Sequence, residues 1–337
     1  MQQRHNRRRV LRLALTSCLL PALGMTTALN GAMAQSLDWP RKSIKVVVPY
    51  PPGGTADIMG RLVALKLGKA FPKISVYVEN VSGGATVPGA LSVMRDAPDG
   101  HTLLLASDNT LNINHWLLKN PRYDGDKDFT PVTVLNTYPH WLIVNANGPY
   151  KTFDDLVKAM RAKPGKLSIS VNTVGGAAYL ALDSWRRENG LDFEIVPYRG
   201  SAPAVTDLIG GVIDGHVDVV GSSIAHARSG RVAPLVIMRS KGVKEFPNAI
   251  TQNESDPKAL TVQSNQSVVV RSGTPQAIVD RLYEILKTSS AEEDYLKTID
   301  TLSIESVLTE PAKAKAFLLQ ETRRYGVLVE KSGLEKQ

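Results

Sequence analysis

Cysteine is all but missing from this chain. Cys18 is the single one among 337 residues, and it stands in an N-terminal segment that reads as removable. A disulfide framework, a thiolate metal site, an iron–sulfur cluster and a cysteine nucleophile are thereby excluded from the remainder. A chain of this size without cross-links must be held by its apolar core. Metal-ligand spacing is missing too. His101, His115, His140, His216 and His226 stand singly and read as surface or packing residues. Asp124, Asp126 and Asp128 alternate as in a calcium loop, but Gly125 and the lack of a closing glutamate break that pattern and leave a solvated turn. No Gly-rich loop ends in Gly-Lys-Ser/Thr, so a P-loop is excluded. Neither a metal nor a cofactor is expected. Linkers rich in Ser, Pro or Gly, repeats and low-complexity runs are also lacking. Any two lobes are therefore joined by ordered crossings of the chain.

What is present begins with the N-terminus. Arg4, Arg7, Arg8, Arg9 and Arg12 form a basic stretch without an acid, an apolar run follows from Leu13 to about Leu29, and Ala32-Met33-Ala34 is a small-x-small cleavage signature. That order is a secretory signal peptide over residues 1–34, with the periplasm as destination. Arg7-Arg8-Arg9-Val10-Leu11-Arg12 resembles a twin-arginine signal; an ordinary Sec signal with extra arginines is the alternative route. Leu15-Thr16-Ser17-Cys18 looks like a lipoprotein box, but Arg12 stands too close to leave an apolar stretch before it. Beyond this segment no run approaches the roughly 18 apolar residues of a membrane span. The formal charge of +8 includes five arginines in the first 34 residues, so +3 remains after cleavage. That is too small a bias to imply nucleic acid or a membrane surface as partner.

The pattern after the signal is β–turn–α. Ile44 to Val48 is a β-branched run of a buried strand, stopped by the turn Pro49 to Gly54, after which Thr55 or Asp57 opens a helix. Ser75 to Glu79 and Leu103 to Ala106 are further strands, a Gly-rich turn from Ser82 to Gly89 opens a second helix, and Asn109 to Leu118 is expected to be helical. Three such units imply a parallel sheet covered by helices. Val132 to Leu135 and Trp141 to Val144 then follow as strands with no helix between them, and a new β/α series runs to Met238. A strand at Ser267 to Val270 and two long helices, Pro275 to Thr288 and Pro311 to Ser332, close the chain. The fold class is α/β with two lobes: residues 35–138 with 262–337, and residues 139–261.

Open α/β sheets place ligands at the C-terminal ends of their strands. Four Gly-containing turns occupy such places: Val46 to Asp57, Ser82 to Thr86, Asn172 to Gly176, and Tyr198 to Pro203. Small residues, backbone N–H groups and a helix start make each one suited to an anion. Taken alone, the first is equally well a tight strand-to-helix turn with a capping acid. Two in each half make a clamp for a carboxylate. The candidate ligand-binding residues are Tyr50, Gly53, Gly54, Thr55, Ala56, Asp57, Ser82, Gly83, Ser107 and Asn109 from the first half. Thr173, Gly175, Gly176, Gly200, Ser201, Ala202 and Asp218 come from the second.

Several stretches are similar to one family. VVVPYPPGGTAD (46–57), YVEN (77–80), APDGHTLLLAS (97–107), YDGDKDFTPVTVL (123–135), KPGKLSIS (163–170), VPYRGSAPAVTDLIGG (196–211) and SGTPQAIVDRL (272–282) resemble the Bug family, the periplasmic solute receptors of tripartite tricarboxylate transporters. The resemblance implies a type II periplasmic-binding-protein fold of two Rossmann-like lobes with an interlobe ligand cleft. It also implies a small carboxylate or aromatic acid as ligand. Gly53 to Asp57 match the family's first turn, and Gly200, Ser201 and Ala202 the opposing one. This chain departs from the family at Ser82 to Thr86, at Ala177 to Tyr179, and from Leu260 to Val270.

The expected role is a non-enzymatic, monomeric receptor that delivers its ligand to a membrane permease. A sensing receptor docking on a membrane sensor protein is the alternative. An enzyme reading rests on Gly221-Ser222-Ser223-Ile224-Ala225, which loosely resembles a nucleophile elbow. A hydrolase using Ser223 needs a histidine brought in from elsewhere, and the only later one, His226, falls on the same helical segment.

Overall fold

The computed structural model describes residues 38–253, 255–262 and 264–336. The expected signal peptide lies outside them. The first buried strand, β1 (Ile44–Val48), pairs in parallel with β2 (Val76–Asn80) on one side and β3 (Thr102–Ser107) on the other. Helix α1 (Thr55–Ala70) lays Met59, Leu62, Val63 and Leu67 against this sheet. Each such side chain contributes about 1.5–3 kcal/mol on leaving water. Helix α2 (Val87–Arg95) starts with a proline in its first turn, inside the stretch expected to be loop, because proline is preorganised for that position.

Two antiparallel strands, β4 (Phe129–Tyr138) and β11 (Ser264–Arg271), join this sheet. With the two-residue β12 (Glu305–Ser306) they give a six-stranded order β12-β4-β11-β3-β1-β2. The second six-stranded sheet comprises β5 (His140–Asn145), β6 (Ser168–Val171), β7 (Glu194–Pro197), β8 (Gly215–Val219), β9 (Val232–Ile237) and β10 (Ile250–Thr251), in the order β10-β9-β5-β8-β6-β7. Helices α4 (Phe153–Ala162) and α5 (Ala177–Glu188) line one of its apolar clusters, and α6 (Ser201–Ile209) and α7 (Val220–Arg228) line another. Strand β8 stops at Val219, and Val220 starts α7.

The chain crosses between the sheets at Pro139 and again between β10 and β11. Helix α8 (Gln276–Ser289) packs on the first sheet's core through Ile278, Val279 and Leu282. Helix α9 (Glu293–Thr301), which had not been foreseen, follows it. The final helix α10 (Pro311–Ser332) buries Ala314 and Leu318 against the first sheet and then reaches the second half, where Tyr325 and Val329 meet Ala177 and Leu180 of α5. Among the described residues no helix is long and apolar enough to cross a membrane.

The stretch after β3 is not a plain α-helix. Asn109–Ile113 is a π-helical turn, followed by the short α3 (Asn114–Leu117). Asn112 donates to Leu318 O and Thr322 Oγ1, and Asn114 donates to Ala85 O and the Tyr123 hydroxyl. Asparagines committed to tertiary partners distort a helix for which they have poor intrinsic preference.

Candidate functional site

Three of the four turns foreseen as anion sites are built around two buried carboxylates. In the first half Asp57, at the start of α1, accepts from Gly53 N (3.0 Å), Arg61 Nε (3.0 Å) and Asn80 Nδ2 (2.9 Å). Burial works against the charged form, but these donors outweigh it and hold Asp57 below the usual carboxylate range. Gly53 sits at φ 91°, where a side chain would be strained, and so lets its N–H turn back onto Asp57. Tyr50 completes this corner. Its hydroxyl meets Ser107 Oγ at 2.7 Å, and burial pushes its pKa up to about 12.

In the second half Asp218, fully buried at the end of β8, accepts from Ser201 Oγ (2.5 Å), Asn172 Nδ2 (2.8 Å) and Val219 N (2.8 Å). Gly200, at φ 100°, donates its N–H to Asn172 O at 3.2 Å, tying the β6 and β7 turns together. Beneath them His216 Nδ1 lies 2.7 Å from Ser170 Oγ and its Nε2 lies 3.8 Å from Asp218 Oδ1. Burial lowers the pKa of His216, and that of His140 nearby falls to about 4.

Beside these turns the two halves come into contact. Thr55 Oγ1 meets Ser222 Oγ at 3.0 Å. Asn109 and Leu117 fill the space that side chains at Gly176 and Gly175 would need: a Cβ at Gly175 would fall 2.2 Å from Leu117 Cδ1, and one at Gly176 3.2 Å from Asn109 Oδ1 and 2.6 Å from Thr173 Cγ2. The helices α1, α5 and α6 begin on Gly54, Gly176 and Gly200, and none of the three has a side-chain cap. Their first N–H groups thus lack the usual side-chain acceptor. Of the other expected residues, Ala56 is half-buried, whereas Ser82, Gly83 and Ala202 are exposed.

Sequence reasoning missed Asn80, Asn172, Thr86 and Ser222. Asn80 lies inside the YVEN stretch and Asn172 directly follows β6; both donate to the carboxylate of their half. An asparagine closing a strand beside a Gly-rich turn was the available signal. Thr86 had none: it is buried at φ 72°, an unusual conformation for a β-branched residue, and its Oγ1 accepts from Thr110 at 2.9 Å. Backbone strain of this kind gathers at ligand clamps. Ser223 is fully buried, and its Oγ accepts the Trp141 indole N–H at 2.9 Å. His226 shares helix α7 with it. A separate groove of about 410 Å³, lined by Phe153, Val157, Arg161, Trp185 and Lys258 among others, contains none of the candidate residues.

Residues 59–334 match the tripartite tricarboxylate transporter family receptor. The chain belongs to that family. Its likeness to Protein BugT of Bordetella pertussis, 28% identical over 318 residues, covers 94% of this chain and 97% of that one, so the Bug resemblance holds over almost the full length. Among solved structures, Rpa4515 of R. palustris with adipate superposes with a TM-score of 0.82 at 26% identity, covering 88% of this chain and 99% of that one. MatC (Rpa3494) from Rhodopseudomonas palustris with bound malate gives 0.76 at 25%, covering 86% and 99%. The fold is therefore the two-lobed α/β fold of periplasmic binding proteins. This tripartite tricarboxylate transporter receptor belongs with periplasmic, carboxylate-binding solute receptors.

Proposed function

We propose that this receptor captures a small dicarboxylate between its lobes and hands it to the membrane component of a tripartite tricarboxylate-type transporter. The moving bodies are residues 35–138 with 262–337, and residues 139–261. One observation carries the ligand class: three helices, drawn from both halves, start on glycine N-caps without a side-chain acceptor. Two such N-termini on one side and one on the other suit a ligand with a carboxylate at each end. Asp57 and Asp218 do not compete for those groups, because their own acceptor positions are spent on Arg61, Asn80, Asn172 and Ser201. Adipate and malate, bound by two structural relatives, are dicarboxylates and the natural first probes. Export by the Sec or the twin-arginine route precedes binding.

Calorimetric titration and thermal shift with mono-, di- and tricarboxylates test this reading. A dicarboxylate at about a hundred times its Kd should stabilise the fold by about 2.7 kcal/mol, since it binds only the folded state. A flat response across the panel overturns the ligand class. Capture of the loaded receptor by transporter membranes, and not by a sensor protein, tests the partner.

A further inference from the structure

A segment inserted between α8 and α10 reaches from the first half onto the second. Its beginning is anchored at home: Lys66, almost completely buried on α1, pairs with Glu292 at 3.0 Å and with Asp294, while Lys69 reaches both at 3.0 Å. Its end is anchored too, where β12 pairs Glu305 with Thr137 and Ser306 with Asn136 of β4. Between and beyond these anchors the contacts turn outward. Glu305 Oε1 takes Arg239 Nη1 at 3.2 Å and Lys241 Nζ at 2.6 Å, and both cations follow β9 in the second sheet. Arg239 also donates to Lys241 O at 3.0 Å, which holds the two cations on one carboxylate oxygen. Arg228 of α7 points its Nη2 at Thr301 O, 3.4 Å away.

Gly221 supplies the second grip. A Cβ there would stand 2.9 Å from Thr55 Oγ1 and 3.0 Å from the Leu302 carbonyl oxygen, both belonging to the opposite half. The backbone carbonyl has little room to give, so only a residue without a side chain admits so close an approach.

We infer that α9 and β12 form a strap that holds the second lobe closed on the first, clasping it through Glu305 on Arg239 and Lys241 and through Leu302 on Gly221. The strap does not touch the Gly-rich turns at Gly53, Gly176 or Gly200 among the described contacts. It therefore sets how long the lobes stay together without choosing what they hold. A closed state gains from each interlobe contact that the open state lacks, and ligand affinity rises with the closed fraction. Such a strap matters only if the lobes move as proposed above.

Spin labels at Lys244→Cys and Lys297→Cys, in a Cys18→Ser background, report the distance across the strap by pulsed electron spin resonance. The measurement needs no ligand, so failure to latch and failure to bind a carboxylate are read separately. Glu305→Gln should raise the open-to-closed ratio about two- to fivefold, the range of a half-exposed ion pair. Glu305→Lys should raise it further by repulsion, and high salt should imitate the Gln variant. Gly221→Ala should wedge the lobes apart by a route that involves no charge. The triple variant Glu305→Lys, Arg239→Glu, Lys241→Glu should recover the wild-type distance. Circular dichroism melting identifies any variant that fails to fold, and the remaining ones carry the test. Unchanged distances in folded Glu305→Gln and Gly221→Ala overturn the strap.

Discussion

The Ser201 hydroxyl donates to Asp218 Oδ2 at 2.5 Å, joining the first residue of α6 to the end of β8. The bond fixes the start of a glycine-capped helix against a fully buried carboxylate. In the other half Asp57 does the same for the turn at Gly53. Both carboxylates act on the site by ordering the backbone around it.

Ser201→Ala should therefore cost more than a surface serine would. It leaves one oxygen of a buried carboxylate without its hydroxyl donor, a loss of about 1–3 kcal/mol. Urea denaturation should show that loss, and the thermal shift given by adipate should shrink with it. A variant of wild-type stability with an unchanged shift contradicts the assignment.

Asp57 links the first turn to acid stability. Its pKa is lowered in the folded protein, so its stabilisation is complete above the unfolded value of about 3.9 and is lost as the pH falls through the folded one. Asp57→Asn keeps the shape and removes the titration. Its melting temperature should fall less steeply than wild type below about pH 4. Parallel curves for the two proteins refute this role.

His140 gives a different window. Burial lowers its pKa to about 4, so at mildly acidic pH the unfolded chain takes up a proton that the folded one refuses. Its contribution is complete above the unfolded value of about 6.5 and is lost as the pH falls from there towards the folded value. His140→Gln should flatten the stability profile over that interval. His216, lowered for the same reason, keeps part of the slope.

Gly175 stands at φ 65° with Leu117 of the other half against it. Gly175→Ala should lose about 1–2 kcal/mol from the left-handed backbone alone. Leu117→Ala in the same chain should relieve the contact without recovering the backbone cost. Full recovery of stability in the double variant means the strain was misplaced.

Much of the architecture was legible in the chain. The β-branched run at 44–48, the Thr152–Asp155 capping box before α4, and the apolar spacing of α8 each carry a local signal that the tertiary structure did not overrule. Helix α9 was legible and passed over: Glu293 and Asp294 open it, and Tyr295 and Ile299 repeat at helical spacing. β12 was not, because two residues display no alternation. The π-turn at 109–113 was hidden for another reason, since its cause is the distant pull of α10 on Asn112.

The sequence by itself determined the glycine turns at strand ends, the stretches that resemble the Bug family and, with no cysteine beyond residue 18, a fold held by its apolar core. Those properties are local or compositional, and each is read within one segment. The tertiary structure decided what the polar residues do. Asp57 and Asp218, expected at the ligand, order the turns through Asn80 and Ser201, and Gly221 and Glu305 grip the other half. Partnerships between segments far apart in the chain leave no periodic trace, because they depend on where two folded elements come to lie.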